Sequence, residues 1–418
     1  MGSTTAIPKE EGLDHTIELL KEGYEYIPNR MRQYDTEIFE TRLLGKKAIC
    51  ISGEEAAELF YDTELFKRKG VVPGRIEKSL FGEGGVQGLD DAAHRHRKAM
   101  FMSLMEPQRL HVLDEITKEQ WEIAIDKWKA MDTVALFHEA EEIMCRVACR
   151  WAGVPLWAKD LELRTKDLGA MIDAFGAIGP RHWQGRRART RSEKWIAYIV
   201  RQVRTGNLTA DEDTALYQIA WHEDLNGNLL DIKTAAVEIL NILRPIVAIG
   251  RFVTFGAVAL YENPEKQDKL IADKEDYSQK FVQEVRRYYP FGPFLGALAR
   301  KDFNWSGYHF KKGDMVLLDL YGTNHSPKIW EYPDVFWPDR FSEWDGSPFN
   351  FIPQGGGDFE MGHRCAGEWI TVQVMRTSLK YLAGKIDYDV PAQDLSYSML
   401  RMPTIPKSRF LIENVRRA

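Results

Sequence analysis

Near its carboxyl end the chain reads Gly355-Gly-Gly-Asp-Phe-Glu-Met-Gly-His-Arg-Cys-Ala-Gly-Glu-Trp-Ile370. This glycine-rich loop delivers a cysteine, Cys365, to the predicted start of a helix. Backbone N–H groups and the dipole at a helix N-terminus favour a negatively charged sulfur, and Arg364 adds positive charge. A thiolate in this place can act as a nucleophile or as a metal ligand. Glycines on both sides, Gly362 and Gly367, let a flat or bulky group approach the backbone closely.

Cys365 has a simpler interpretation, a small buried cysteine near a helix cap, because free cysteines are commonly buried. A zinc site is not favoured, since no second Cys or His lies at zinc-finger spacing. A Cys–His hydrolase is not favoured either, because a base as close in sequence as His363 seldom has the required geometry. The cysteine by itself therefore leaves its role open.

Two motifs upstream of the cysteine narrow the choice. Glu284 and Arg287 are three residues apart in a helix predicted over 279–289, so they share a face, and Pro338-Asp-Arg-Phe341 supplies Arg340. Each motif alone is a weak indication, because a surface ion pair contributes only a few tenths of a kcal/mol. In the order long helix, Glu-x-x-Arg, small sheet, Pro-x-Arg-Phe and glycine-loop cysteine, the chain resembles a cytochrome P-450.

This resemblance implies a mainly α fold with a minor antiparallel β part, formed by one haem-thiolate domain over 1–418. It implies haem b with Cys365 as the axial ligand, and a thiolate ligand favours O–O cleavage at iron. Glu284, Arg287 and Arg340 would form a buried structural lock beneath the haem. The expected partners of the haem propionates are Arg68, His94, Lys98 and His363.

The composition excludes several other classes. The 418 residues include 56 Lys+Arg and 62 Asp+Glu, a net charge of −6, which argues against a nucleic-acid binder. Hydrophobic residues at 44% and charged residues at 28% are typical of an ordered globular protein, and 4 cysteines imply no disulfide scaffold. The polar stretch 1–15 does not resemble a secretory signal, and no long apolar run lacks a charge. We therefore expect a cytoplasmic protein with no membrane span.

The hydrophobic pattern predicts where the main elements lie. It predicts a strand over 47–52, a helix over 54–61, a helical region over 107–263 with its longest helix over 234–261, small antiparallel strands over 302–319, irregular chain over 326–364, and a last helix over 366–385.

The longest helix departs from the common P-450 pattern. It reads Ile239-Leu-Asn-Ile-Leu-Arg-Pro-Ile-Val-Ala-Ile-Gly250, with Arg244-Pro245 where most members carry an acid–alcohol pair. One interpretation is structural: Arg244 meets a buried Asp or Glu, and Pro245 makes a tolerated kink. In the other, Arg244 binds a substrate carboxylate, for which a guanidinium is well suited.

The chain closely resembles the bacterial fatty-acid peroxygenase branch of that superfamily, which includes fatty-acid α- and β-hydroxylases and alkene-forming decarboxylases. One departure is Ala366, which stands where relatives have proline. The blocks that carry the resemblance are Phe175-Gly-Ala-Ile-Gly-Pro-Arg-His-Trp183, Leu243-Arg-Pro-Ile-Val247, Phe281-Val-Gln-Glu-Val-Arg-Arg-Tyr-Tyr-Pro-Phe-Gly-Pro-Phe294, Leu317-Leu-Asp-Leu-Tyr-Gly-Thr-Asn-His325, Pro353-Gln-Gly-Gly-Gly357 and Gly362-His-Arg-Cys365.

The function implied by this branch is hydroxylation of long-chain fatty acids at C2 or C3 with hydrogen peroxide and no obligatory reductase. Arg244 would anchor the substrate carboxylate, which would serve as the acid–base, and Pro245 would shape the helix beside it. Gln87 aligns with a distal-pocket position that is Gln in hydroxylating relatives and His in a decarboxylating one, so it favours hydroxylation. The apolar channel would use residues otherwise expected in the core: Leu80, Phe81, Ile172, Phe175, Phe291, Gly292 and Phe294.

Two alternatives remain open at this point. The same peroxide-fed haem could decarboxylate fatty acids to terminal alkenes. A haem-binding or fatty-acid-binding protein without turnover is less favoured, because Cys365 and Arg244 are both intact. The basic run over 181–191 is expected to be a solvated face rather than a fatty-acid or partner site.

Overall fold

The structure, a computed structural model, describes residues 5–418. Residues 1–4, which begin the polar stretch predicted not to be a secretory signal, lie outside the described residues. The fold is 52% helical with small sheets, so the prediction of a mainly α protein with a minor β part is confirmed.

The helices are α1 (Thr16–Glu22), α2 (Tyr26–Tyr34), α3 (Glu54–Phe60), α4 (Gly74–Ile76), α5 (Asp91–Met102), α6 (Pro107–Trp128), α7 (Leu136–Trp151), α8 (Leu161–Asp173), α9 (Pro180–Arg204), α10 (Ala215–Ala220), α11 (Ile232–Glu262), α12 (Gln267–Ala272), α13 (Tyr277–Tyr288), α14 (Leu320–Asn324) and α15 (Glu368–Gly384). A π-helical turn, Glu77–Phe81, continues α4. The helices predicted over 54–61, 234–261 and 366–385 correspond to α3, α11 and α15, with boundaries that differ by one or two residues.

The strands are β1 (Ile38–Leu43), β2 (Lys46–Ile51), β3 (Phe66–Lys67), β4 (Thr133–Ala135), β5 (Phe294–Ala299), β6 (Phe303–Trp305), β7 (Tyr308–Phe310), β8 (Met315–Asp319), β9 (Ile386–Asp389) and β10 (Leu411–Arg417). Five of them form a sheet in the order β1-β2-β8-β5-β3, in which β2 and β8 run parallel with Ala48 opposite Met315. The sheet β4-β10-β9 was not predicted, because β4 has three residues and pairs with a strand distant in sequence.

Helix α11 runs through the centre of the fold. It has 31 residues and packs against α7, α8, α9 and α15. Within residues 5–418 it is the one helix long and apolar enough to span a bilayer, and 94% of its most apolar window is buried inside the protein. It begins after Asp231, whose side chain accepts a hydrogen bond from the Thr234 N–H (3.0 Å). The helix continues across Pro245, which has no N–H to donate to the Asn241 carbonyl.

The Glu-x-x-Arg motif is buried rather than solvated. Arg287 donates two hydrogen bonds of 2.8 Å to the Glu284 carboxylate, and both side chains are fully inaccessible to solvent. The Arg340 Nε lies 3.3 Å from Glu284 Oε2, and the Trp337 N–H donates to Oε1 (2.8 Å). Arg287 also donates to the carbonyls of Asn324 and Pro333. The three charged groups therefore tie α13 to the irregular chain that precedes the Cys365 loop.

Replacing Glu284 with Gln should destabilise the fold by about 3–5 kcal/mol, because it leaves two buried guanidinium groups without their carboxylate. The measurement is the free energy of unfolding by chemical denaturation. Glu162→Gln is the matched control, because Glu162 forms an exposed i,i+4 pair with Lys166 and its loss should change little. Equal effects of the two substitutions would contradict a structural lock.

Asp319 is a second buried acidic group with a structural role. It ends β8 and caps α14, where its Oδ1 accepts a hydrogen bond from the Gly322 N–H (2.8 Å). Its side chain has no charged partner in salt-bridge contact within residues 5–418. Burial raises the pKa of this carboxyl to about 7.

We expect Asp319→Asn to be more stable than the parent protein at pH 8, with an advantage that falls by about 2 kcal/mol between pH 8 and pH 5. The folded-state pKa of about 7 lies above the ordinary value of 3.8, so the carboxyl favours folding below about pH 4 and progressively loses that contribution as the pH rises through 7. Denaturant unfolding at both pH values measures this. Identical pH dependence of the two proteins would show that Asp319 does not titrate in this range.

Candidate active site

A cavity of about 370 Å³ lies between α11, the π-helical turn and the loop that precedes α15. Most of its wall is apolar, and polar side chains enter it at three places that are described in turn below. Of the residues predicted from the sequence, the structure places these in the wall: Leu80, Phe81, Gln87, His94, Lys98, Ile172, Phe175, Arg244, Pro245, Phe291, Gly292, His363 and Cys365.

Two predicted site residues, Phe294 and Arg68, lie outside the cavity wall. Phe294 begins β5 opposite Asp319 and packs against a separate cluster around Phe39. Arg68 is buried nearby, where its guanidinium lies over the Phe60 ring and donates to the Phe60 carbonyl (3.1 Å). A channel role for Phe294 and a propionate role for Arg68 stay predictions.

The conformation of the Cys365 loop depends on a glycine and on contacts with Gln354. Gly355 has φ +87°, and a Cβ there would lie 2.9 Å from the Tyr61 hydroxyl, so the loop requires glycine at this position. The Cys365 N–H donates to the Gln354 carbonyl (3.2 Å), and the Gln354 amide nitrogen lies 3.7 Å from the sulfur. Cys365 lines the cavity. Ala366, the residue that departs from the proline of relatives, follows it and lines the cavity too.

The electrostatics at the sulfur differ from the sequence-based expectation. Burial raises the pKa of the Cys365 thiol, and Glu368 adds to this effect while Lys98 and Arg286 oppose it. Arg364 is directed to Glu368, with Nε 2.6 Å from Oε2, rather than to the sulfur. The Gly367 N–H at the start of the helix lowers this pKa as expected, but burial outweighs it, and Arg364 does not add the positive charge expected at the sulfur. A bound metal ion would remove the thiol proton.

Basic side chains collect at one end of the cavity with little negative charge to match them. The rings of His94 and His363 stack with centroids 3.8 Å apart, and Lys98 Nζ donates to the Arg364 carbonyl. Among the described residues, the one carboxylate in salt-bridge contact with this group is Asp90, 3.8 Å from His363. Burial lowers the pKa of His94 to about 4 and that of Arg68 to about 10. His94 is thus held in its neutral form, while Lys98 has no described carboxylate in salt-bridge contact and is the group's cation without an anion.

Haem fits this arrangement. Residues 5–418 contain no group of three or more His, Cys, Asp or Glu side chains that could hold a metal ion. Cys365 would therefore hold a metal only as part of a prosthetic group. Haem propionates would supply the anions that the basic end lacks, and Cys365 would ligate the iron.

Arg244 brings a second unmatched cation into the cavity. Its side chain is buried, and its Nη2 donates to Asn241 Oδ1 (3.3 Å) while its Nε has no partner among the described residues. No described carboxylate is in salt-bridge contact with it, so the structural interpretation, a buried Asp or Glu partner, is wrong. Burial lowers the pKa of Arg244 to about 9, and the charge of Arg189 adds to the shift.

Two residues that support this wall were not predicted from the sequence. Asn241 lies one turn before Arg244 and contacts it, and a polar side chain on that face of an apolar helix was the available signal. Arg189 on α9 donates to the carbonyls of Leu80 (2.9 Å) and Phe81 (3.3 Å). Its side chain is 2% exposed, so the expectation of a solvated face over 181–191 is wrong at this position.

Comparisons with known proteins agree with this geometry. A family model described as Cytochrome P450 matches residues 260–382. The solved structure of cytochrome P450EX alpha (CYP152N1) with myristic acid is 44% identical with a TM-score of 0.96, and the alignment covers 99% of this chain and 100% of that one. A cytochrome P450 OleT variant in complex with arachidonic acid is 42% identical with a TM-score of 0.96, over 99% of both chains. Protopanaxadiol 6-hydroxylase of Panax ginseng is 23% identical, over 79% of this chain and 76% of the relative.

We expect Arg244→Met to stabilise the protein without a bound carboxylic acid by about 1–3 kcal/mol, because it removes a buried charge that has no counter-ion. Denaturant unfolding measures the change. The matched control is Arg287→Met, which removes an equally buried guanidinium that has a carboxylate partner and should destabilise. If both variants lose stability, Arg244 has a structural partner after all.

Proposed function

The chain belongs to the CYP152 family of cytochromes P450, which are haem-thiolate enzymes. On this basis we propose that it hydroxylates long-chain fatty acids at C2 or C3 with hydrogen peroxide. The observation that carries the proposal is the buried Arg244 guanidinium without a carboxylate partner in the cavity that also contains Cys365. A cation in this environment requires an anion from the ligand. A fatty acid supplies that anion together with an apolar chain.

The proposed cofactor is haem b, which Cys365 would hold as its thiolate ligand and whose propionates Arg68, His94, Lys98 and His363 would bind. When bound, this group would supply an iron centre that takes an oxygen atom from hydrogen peroxide and oxidises the substrate. The polypeptide holds the backbone of Cys365 through the Gln354 carbonyl and keeps His94 and Lys98 buried. We further propose that the single haem-thiolate domain spans 1–418, that the protein is cytoplasmic without a membrane span, and that it needs no reductase.

Arg244 orients the substrate in this proposal. Its planar guanidinium can donate two parallel hydrogen bonds to a carboxylate, which fixes both the position and the direction of the acid. The anchored carboxylate would then accept and return a proton from hydrogen peroxide as a general acid–base. It would do so because α11 lacks the acid–alcohol pair that most cytochromes P-450 carry. Pro245 follows directly, and its missing N–H leaves the Asn241 carbonyl without its usual helical partner.

The apolar wall accounts for the choice of a long alkyl chain. Each CH₂ moved from water into such a wall contributes about 0.8 kcal/mol. Phe291 stacks on Phe252 with centroids 5.0 Å apart, and Gly292 beside it leaves room for the chain. Gln87 favours hydroxylation over decarboxylation, because an amide has no titrating proton near neutral pH whereas a histidine does.

The test is to incubate the haem-loaded protein with a long-chain fatty acid and hydrogen peroxide and to identify the products by mass spectrometry. We expect 2-hydroxy or 3-hydroxy acids. If terminal alkenes are the main product, the reaction is oxidative decarboxylation, the alternative, and the proposal of hydroxylation is wrong. The absence of any product would contradict a peroxide-driven enzyme.

Arg244→Ala is the control variant for this experiment. It should lower kcat/KM for the fatty acid by about 100-fold, since hydrogen bonds to charged groups contribute roughly 1.5–3 kcal/mol. The spectrum of the thiolate-bound haem should be unchanged, because Arg244 does not contact the cysteine loop. Full activity in this variant would overturn the anchoring role.

A further inference from the structure

A buried carboxylate lies behind the cavity wall on α11. Glu238 is completely inaccessible to solvent, and its Oε1 accepts a hydrogen bond of 2.6 Å from Arg97 of α5. Burial raises the pKa of Glu238, while Arg97 and Asn241 favour its charged form. Glu238 does not line the cavity, so it cannot contact a ligand there. Its influence on the site has to pass through a neighbour.

That neighbour is the side-chain amide of Asn241, which has its two ends fixed by charged groups. Its Nδ2 donates to Glu238 Oε2 (3.0 Å), and its Oδ1 accepts from Arg244 Nη2 (3.3 Å). A carboxylate only accepts hydrogen bonds and a guanidinium only donates them. The orientation of the Asn241 amide is therefore dictated chemically and does not depend on distinguishing O from N.

The same amide nitrogen fixes Gln87. Asn241 Nδ2 also donates to Gln87 Oε1 (3.2 Å), which leaves Gln87 Nε2 as the free end of the side chain in the cavity wall. Gly85 makes room for this contact, because a Cβ there would lie 2.9 Å from Asn241 Nδ2 and 3.0 Å from Gln87 Oε1. The Asn241 amide therefore donates to both Glu238 and Gln87, and the missing side chain of Gly85 leaves the space for the contact with Gln87.

We propose that Glu238 is a positioning residue. By fixing the Asn241 amide, it orients the Gln87 side chain so that Gln87 presents its N–H group to the carboxylate that Arg244 binds. The inference rests on the proposed function insofar as it takes a fatty acid as the ligand. With Glu238 in place, both Gln87 and Arg244 donate towards the ligand. Such a site selects a carboxylate over the corresponding alcohol, whose single oxygen cannot accept from both groups as well as a carboxylate can.

The test compares Glu238→Gln with the parent protein, both haem-loaded, by the Kd of myristic acid and of tetradecan-1-ol measured by titration calorimetry. A glutamine at position 238 accepts from Arg97 with its oxygen and presents its NH2 group to Asn241, so it opposes the amide orientation that Arg244 favours. We expect the Kd of myristic acid to rise 5- to 30-fold and that of the alcohol to change less than 2-fold. Equal changes for both ligands, or none, would overturn the proposal.

Further variants separate positioning from a general effect on the fold. Asn241→Leu leaves the Glu238–Arg97 pair in place and should cause the same selective loss, which keeps the proposal testable if Glu238→Gln does not fold. In a Gln87→Ala background, Glu238→Gln should have no further effect on the preference for the acid. The matched control is Glu141→Gln, which disturbs another buried pair, Glu141–Arg251 (3.2 Å), and should leave that preference unchanged.

The result is independent of turnover. If the parent protein binds myristic acid but forms no product with peroxide, the proposed function fails while the binding comparison still decides the role of Glu238. If product forms normally and the preference for the acid survives in Glu238→Gln and Asn241→Leu, the proposed function stands and this inference fails.

Discussion

Arg244 places a positive charge inside the most apolar helix of the protein and meets no carboxylate among the described residues. An unmatched buried charge is expensive, so the surrounding structure has to hold it in place and a ligand has to neutralise it. Asn241, on the same helix, accepts a hydrogen bond from Arg244. The Arg244 guanidinium also lies over the Phe81 ring, and Arg189 holds that residue by donating to its carbonyl. The proposed carboxylate ligand follows from this charge.

Among the described residues, the other buried arginines except Arg68 have carboxylate partners. Arg287 is paired with Glu284 within α13, whereas Arg251 pairs with Glu141 and Asp173 and joins α11 to α7 and α8. Such pairs contribute to holding a specific arrangement of helices, because removing one partner leaves the other charge uncompensated. Among residues 5–418, the buried cations without a carboxylate in salt-bridge contact are Arg244 and Lys98 in the cavity wall and Arg68 outside it. The distribution of counter-ions thus separates structural charges from those available to bind a haem or a fatty acid.

Much of the fold and site could be predicted from particular residues. The apolar run of α11, the alternation over 302–319 and the Cys365 loop each have a local pattern, and the structure brings Cys365, Arg244 and Gln87 into one cavity. The strands β4, β9 and β10 were missed because their pairing depends on long-range contacts that leave little local pattern. Arg189 was assigned to a solvated face because the sequence of a basic run does not show which of its members is covered by another segment.

The sequence alone determined the family, the cysteine and the presence of an arginine in an apolar helix, since these depend on residue type and spacing. Only the tertiary structure decided that Arg244 has no carboxylate partner, that Arg364 is directed to Glu368, and that Glu238 reaches Gln87 through Asn241. Several of these partners are only three or four residues away, but Gln87 and Arg97, which complete the arrangement around Asn241 and Glu238, come from segments far apart in the chain. Their distance and orientation are consequences of packing, which residue spacing does not encode directly.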